Sequence, residues 1–161
     1  MTPFRTTLLF LCTGNSARSI IAEAILRHRG GERFVACSAG SHPLGEVNPF
    51  ALELLASRAI PTEGLRSKSW DEFAGEGAPA MEIVITVCDN AARESCPIWP
   101  GAPASAHWGV PDPAIVEGNE AMRRAAFDSA YMALNDRISA LLRLPAGEIN
   151  QQVLKEIGNR S

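Results

Sequence analysis

Cys12 and Arg18 bracket the run Cys12-Thr13-Gly14-Asn15-Ser16-Ala17-Arg18-Ser19, a cysteine and an arginine separated by a short loop containing glycine. An apolar run precedes it and a helical pattern follows, so the loop joins a strand to a helix. Backbone N–H groups of such a loop converge on one point, and the helix N-terminus adds partial positive charge there. Arg18 supplies a planar fork that fits two oxygens of a tetrahedral anion. The expected oxyanion-binding set is therefore Thr13, Gly14, Asn15, Ser16, Ala17, Arg18 and Ser19. The same field favours a thiolate, so Cys12 is expected to be an activated nucleophile at neutral pH, with the Ser19 hydroxyl within its reach. Asn15 is expected to brace the turn through side-chain hydrogen bonds. A cysteine in a strand–helix turn can simply be buried, but packing gives no reason for an arginine inside the loop.

Three further residues carry chemistry. Asp112 lies between Pro111 and Pro113, which fix the loop and make the aspartate a candidate general acid for the oxygen leaving a tetrahedral centre. Cys88 and Cys96 flank a polar loop. If that loop brings Cys88 to Cys12 and then Cys96 to Cys88, the three thiols form a relay in which each thiolate attacks the previous sulfur. The alternative is two inert buried thiols. Cys37 falls inside a strand pattern and reads as core. His107 and Trp108 read as packing or orienting residues for the acid loop, Trp70 and Trp99 as packing or rim residues, and Glu23 as a solvated helix position. No Cys-x2-Cys pair occurs and the three histidines have no ligand spacing with the cysteines, so no metal site is expected.

The elements that position these residues alternate. Strand patterns cover 6–11, 34–39, 82–87 and 105–108. Helical patterns cover 19–29, a segment opening at Asn48-Pro49, and 120–144. Residues 65–73 read as a turn with a short helix, and 146–161 as a polar tail with a weak helical pattern, loosely held. Alternation of this kind predicts an α/β fold, a four-stranded parallel sheet with helices on both faces. Ligands bind such sheets at the carboxyl ends of the strands. Cys12 and Cys88 each follow a strand directly and Asp112 follows one closely, so all three share that edge.

The chain has 161 residues, 46% of them hydrophobic and 20% charged, which suits one domain spanning 1–161. A net charge of −3 speaks against nucleic-acid binding. The apolar run near the N-terminus is too short for a bilayer and lacks a cleavage signal, so a cytoplasmic protein without membrane association is expected. In that compartment four cysteines read as reactive thiols rather than a disulfide framework.

Cys12-Thr-Gly-Asn-Ser-Ala-Arg-Ser, Ala22-Glu23 and Asp112-Pro113 resemble the low-molecular-weight tyrosine phosphatase superfamily. Within it, Thr13-Gly14-Asn15-Ser16, the Cys88…Cys96-Pro97 segment followed by His107-Trp108-Gly109, and Asp112-Pro113-Ala114 resemble arsenate reductases. The phosphatases typically carry an aromatic residue after Asp-Pro, and Ala114 offers no such platform. Ser38-Ala39-Gly40 and the Asn48-Pro49 helix also match, so the resemblance runs from Leu8 to Pro145. It implies a three-layer domain with flavodoxin-like winding. It also implies an enzyme that reduces arsenate to arsenite for detoxification, through a Cys12 adduct and a Cys12/Cys88/Cys96 disulfide relay, with weak residual phosphatase activity. No bound cofactor is implied. The electrons come from an external thiol reductant: thioredoxin, glutathione with glutaredoxin, or another low-molecular-weight thiol. The alternative is a low-molecular-weight phosphatase hydrolysing phosphomonoesters through a phosphocysteine, which needs Cys12, Arg18 and Asp112 but not the other thiols. A non-enzymatic oxyanion sensor would keep the loop and leave its nucleophile unused.

Overall fold

A computed structural model describes residues 5–75, 77–88, 99 and 103–159. Strands β1 (Thr6–Cys12), β2 (Phe34–Gly40), β3 (Ile83–Thr86) and β4 (Ala104–His107) form one parallel sheet in the order β2-β1-β3-β4. Helices are α1 (Arg18–Gly30), α2 (Pro49–Ser57), α3 (Glu120–Leu142) and α4 (Gln151–Gly158). The three-layer α/β architecture is the expected one. Strand and helix bounds differ from the sequence reading by a few residues at most.

β1 lies between two partners and is covered on both faces, which is why Leu8, Leu9, Phe10 and Leu11 form an unbroken apolar run. Alternate residues enter two cores. Leu8, Phe10 and Cys12 join Ile83 and Ile85 and the buried faces of the four helices. Leu9, Leu11 and Val84 join Ala39 and Met81 under Cys37, Trp99 and the 3-10 turn Trp70–Phe73. Trp70 and Trp99 meet edge to face, which is the packing role expected of them. In α3, Phe127, Tyr131, Leu134, Ile138 and Leu141 recur at helical spacing and are buried.

The segment from 146 onward departs from the expected loose tail. α4 buries Leu154 and Ile157, and the Leu154 carbonyl accepts the Trp108 indole N–H at 2.9 Å. A Cβ at Gly158 would collide with the His107 carbonyl and the Trp108 ring, so only glycine lets the helix lie this close. α4 thereby clamps the residues that lead from β4 into the acid loop. Among the described residues, no helix is long and apolar enough to cross a membrane.

Candidate active site

The carboxyl edge of the sheet brings Cys12, Gly40, Cys88 and the 109–112 loop together. The 13–17 loop is oriented from outside. Its carbonyls at Thr13, Gly14 and Ser16 accept the backbone N–H groups of His42, Leu44 and Asn48, at 2.9 to 3.0 Å. Ser67 Oγ donates a further bond to the Gly14 carbonyl at 3.1 Å. With the carbonyls engaged from behind, the loop turns its donors toward the cleft. No side chain caps the start of α1 at Ala17, which leaves the first-turn N–H groups to an anion.

Asn15 is the brace expected of it, and it carries more bonds than the sequence suggested. It is fully buried and adopts φ 46°, a left-handed conformation that a side chain must stabilise. Its Nδ2 donates to Ser19 Oγ at 2.8 Å and to Ser38 Oγ at 3.0 Å, and its Oδ1 accepts the Lys68 N–H at 2.9 Å. Ser19 is thus bonded to Asn15. Gly40 passes so close beneath the loop that a Cβ there would collide with the Thr13 and Cys12 carbonyls.

The Arg18 guanidinium is already bonded across the site. Nη1 donates to the Val110 carbonyl at 2.9 Å, and Nη2 lies 3.4 Å from Asp112 Oδ2. Asp112 caps a short 3-10 turn, its Oδ1 accepting the Ala114 N–H at 2.9 Å, so one carboxylate oxygen is fixed and the other faces the arginine. The cleft above Cys12 has a volume of about 340 Å³ and is lined by residues 12–18 with His42, Leu44, Asp112 and Ala114. No Phe, Tyr or Trp side chain is among these lining residues.

Cys88 is the second sulfur of the site. It is buried beside Cys12, and its Sγ accepts the Thr13 N–H at 3.3 Å, with Thr13 Oγ1 at 3.6 Å. A second cleft, of about 630 Å³ and lined by Arg18, Cys88, residues 109–112 and Ile115, opens on its side. The electrostatics of the resting pair run against the expectation of an ionised Cys12. Its thiol is pushed up, first by the hydrogen bond with Cys88 and then by burial, against the opposing pull of Arg18 and the Thr13 N–H. Cys96 lies outside the described residues. Cys37 is half-buried in the second core, its thiol pushed up to about 11 by burial and by the nearby Glu23.

Sequence reasoning missed four contributors. Glu23 is buried rather than solvated, and it accepts the Ser38 hydroxyl at 2.5 Å. Ser38 itself, the Val110 carbonyl and the buried Lys68 complete the set. The signal for Glu23 was its place among Ile20, Ile21, Ala24 and Ile25, which left it no exposed face. His107, expected to orient the acid loop, pairs through Nδ1 with Thr86 Oγ1 at 2.8 Å. Among the described residues, no group of three or more His, Cys, Asp or Glu side chains is arranged to hold a metal.

The chain matches the low molecular weight phosphotyrosine protein phosphatase family over residues 7–156. An arsenate reductase of Bacillus licheniformis is 35% identical over 132 residues, 82% of this chain and 91% of that protein. An arsenate reductase of Bacillus subtilis is 32% identical, with 81% and 91% covered. The fold is also that of a thioredoxin-dependent arsenate reductase from Corynebacterium glutamicum. That comparison has a TM-score of 0.64 and 24% identity, and covers 89% of this chain but only 63% of the other. It is likewise the fold of the Escherichia coli tyrosine phosphatase Wzb, with a TM-score of 0.60, 20% identity, and 82% and 92% covered. A cysteine loop built for an oxyanion, an arginine and an acid across it, and these matches over most of the chain lead to one assignment: the protein belongs to the low-molecular-weight phosphotyrosine phosphatase and arsenate reductase superfamily.

Proposed function

We propose that the protein reduces arsenate to arsenite in the cytoplasm, through a relay of Cys12, Cys88 and Cys96. The observation that carries this reading is the placement of Cys88, a buried thiol whose sulfur accepts the Thr13 N–H of the oxyanion loop beside Cys12. Hydrolysis of a phosphomonoester requires one thiol, and a second buried against it serves no step of that reaction. The cleft, with no Phe, Tyr or Trp among its described lining residues, also favours an inorganic anion over an aryl ester.

Arsenate is held by the loop N–H groups and the Arg18 fork. Cys12 gives its thiol proton to the bound arsenate dianion, the resulting thiolate attacks arsenic and forms an S–As bond, and an arsenic-bound hydroxyl leaves as water with a proton from Asp112. The Cys88 thiolate then attacks the Cys12 sulfur. The S–As bond breaks, its electron pair stays on arsenic, arsenite departs, and a Cys12–Cys88 disulfide remains. Cys96 attacks Cys88 and frees the Cys12 thiolate. The resulting Cys88–Cys96 disulfide accepts two electrons from thioredoxin, from glutathione with glutaredoxin, or from another low-molecular-weight thiol. The thioredoxin-dependent arsenate reductase of Corynebacterium glutamicum, which shares this fold, favours thioredoxin.

The test pairs two substrates with one variant. Cys88→Ala is expected to abolish multiple-turnover arsenate reduction and leave the weak hydrolysis of an aryl phosphate in place. Loss of both activities together, or retention of both, would contradict the reading.

A further inference from the structure

Four side chains behind the oxyanion loop close a ring of polar contacts. Asn15 Nδ2 donates to Ser38 Oγ at 3.0 Å, and the Ser38 hydroxyl donates in turn to Glu23 Oε1 at 2.5 Å. Glu23 Oε1 faces Lys68 Nζ at 3.7 Å, and the Lys68 backbone N–H returns to Asn15 Oδ1 at 2.9 Å. Lys68 and Glu23 are both 8% exposed at the side chain. We propose that Lys68 is a positioning residue for the oxyanion loop, its buried ammonium fixing Glu23 and, through Ser38, the left-handed turn at Asn15.

Burying two opposite charges is expensive, and such a pair persists where it specifies a geometry. Burial disfavours the Lys68 ammonium and lowers its pKa, while Glu23 pulls the other way. Nζ is further held by the Arg66 carbonyl at 2.8 Å. The other cation beside Glu23 is Arg27 at 3.8 Å, and its side chain is 36% exposed and screened. Lys68 also accepts the Gly40 N–H through its carbonyl, so this one residue ties the loop brace to the strand passing beneath it. None of its atoms belongs to the lining of the cleft above Cys12. Its effect on chemistry therefore runs through Asn15 and the direction of the loop N–H groups.

The proposal rests on the oxyanion reading of the loop, and inorganic phosphate separates the two. Phosphate binding is measured by calorimetry on the full chain carrying Cys12→Ser, which removes the thiol titration. Adding Lys68→Met is expected to weaken phosphate roughly tenfold, the scale of a small misplacement of ligating groups. Adding Glu23→Gln to that variant keeps an acceptor for Ser38 without a buried charge, and is expected to restore affinity to within about threefold of the Cys12→Ser chain. Affinity should also fall as pH rises through the lowered Lys68 value, because the ammonium is lost there. The groups acting on Lys68 are Glu23 on α1, Cys37 on β2, and Arg66 and Glu72 beside it, while Arg27 on α1 pairs with Glu23. All except Glu23 remain in the Glu23→Gln/Lys68→Met chain, so the disappearance of the alkaline fall there assigns it to the pair. If Lys68→Met does not fold, that double variant and its pH profile still decide. Unchanged phosphate affinity in folded Lys68→Met, or an alkaline fall that persists in the double variant, overturns the proposal. A Cys12→Ser chain that binds no phosphate at all would instead overturn the oxyanion reading and take the brace with it.

Discussion

The two loops that face each other across Cys12 are built differently. The 13–17 loop is fixed from behind at nearly every polar atom. Its carbonyls are bonded by the 42–48 segment, Asn15 has no exposed surface, and Gly40 passes beneath with no room for a methyl group. The 109–116 loop carries Asp112 at 30% side-chain exposure and Ile115 at 75%, and reaches the other loop through Arg18. A receptor for charge must be pre-organised, because donors that reorient on binding lose much of their electrostatic benefit. A proton donor must instead approach and leave. Arg18 joins the two: an arriving anion competes with Asp112 for the same guanidinium, so binding at one loop is felt at the other.

The largest effect is expected where the rigid loop is broken. Gly40→Ala pushes the Thr13 and Cys12 carbonyls out of place and should lower kcat/KM by about 100-fold, through both KM and kcat. Next comes the exposed side. Asp112→Asn removes the acid and keeps the cap to Ala114, so kcat for arsenate should fall on the order of 100-fold while phosphate affinity holds or rises, because Arg18 loses a competing carboxylate. A parallel loss of phosphate affinity would show that the two loops are not separable in this way.

A smaller effect concerns the thiol pair. The Cys12 thiol is pushed up chiefly by Cys88, so it stays protonated to a higher pH than a free cysteine. Cys88→Ala removes that cause. The pH at which iodoacetamide alkylation of Cys12 reaches half its maximal rate should therefore move down, and an unmoved profile would leave burial as the dominant cause. The smallest effect is expected at the rim. Leu44→Ala, at a side chain 71% exposed, should leave kcat/KM within about twofold, as surface changes usually do.

The division between the loops also governs what the sequence revealed. Cys12, Arg18 and Asp112 are legible because their chemistry needs those residue types at strand ends, and strand ends follow from short apolar runs such as Leu8–Leu11. The topology was legible for the same reason, since alternating strands and helices leave few windings. The bracing of Asn15 by Ser38, Glu23 and Lys68 was not, because these residues come from three separate elements and meet only once β2 lies beside β1. Glu23 looked like a solvated helix position because a carboxylate is usually that. The upward push on the Cys12 thiol was not legible because the loop's field was visible in sequence and the neighbouring sulfur was not. α4 was undervalued because its apolar residues are few, and their burial against Trp108 depends on a glycine that gives no periodic signal.

The central claim is that two further thiols turn an oxyanion displacement into a reduction. Its most direct test is mass-spectrometric mapping of cysteine linkages after one arsenate turnover without external reductant. The account predicts a Cys88–Cys96 disulfide with free Cys12 in the parent chain, and a Cys12–Cys88 disulfide in Cys96→Ser, each with one equivalent of arsenite. Arsenite released with Cys88 still reduced would contradict it.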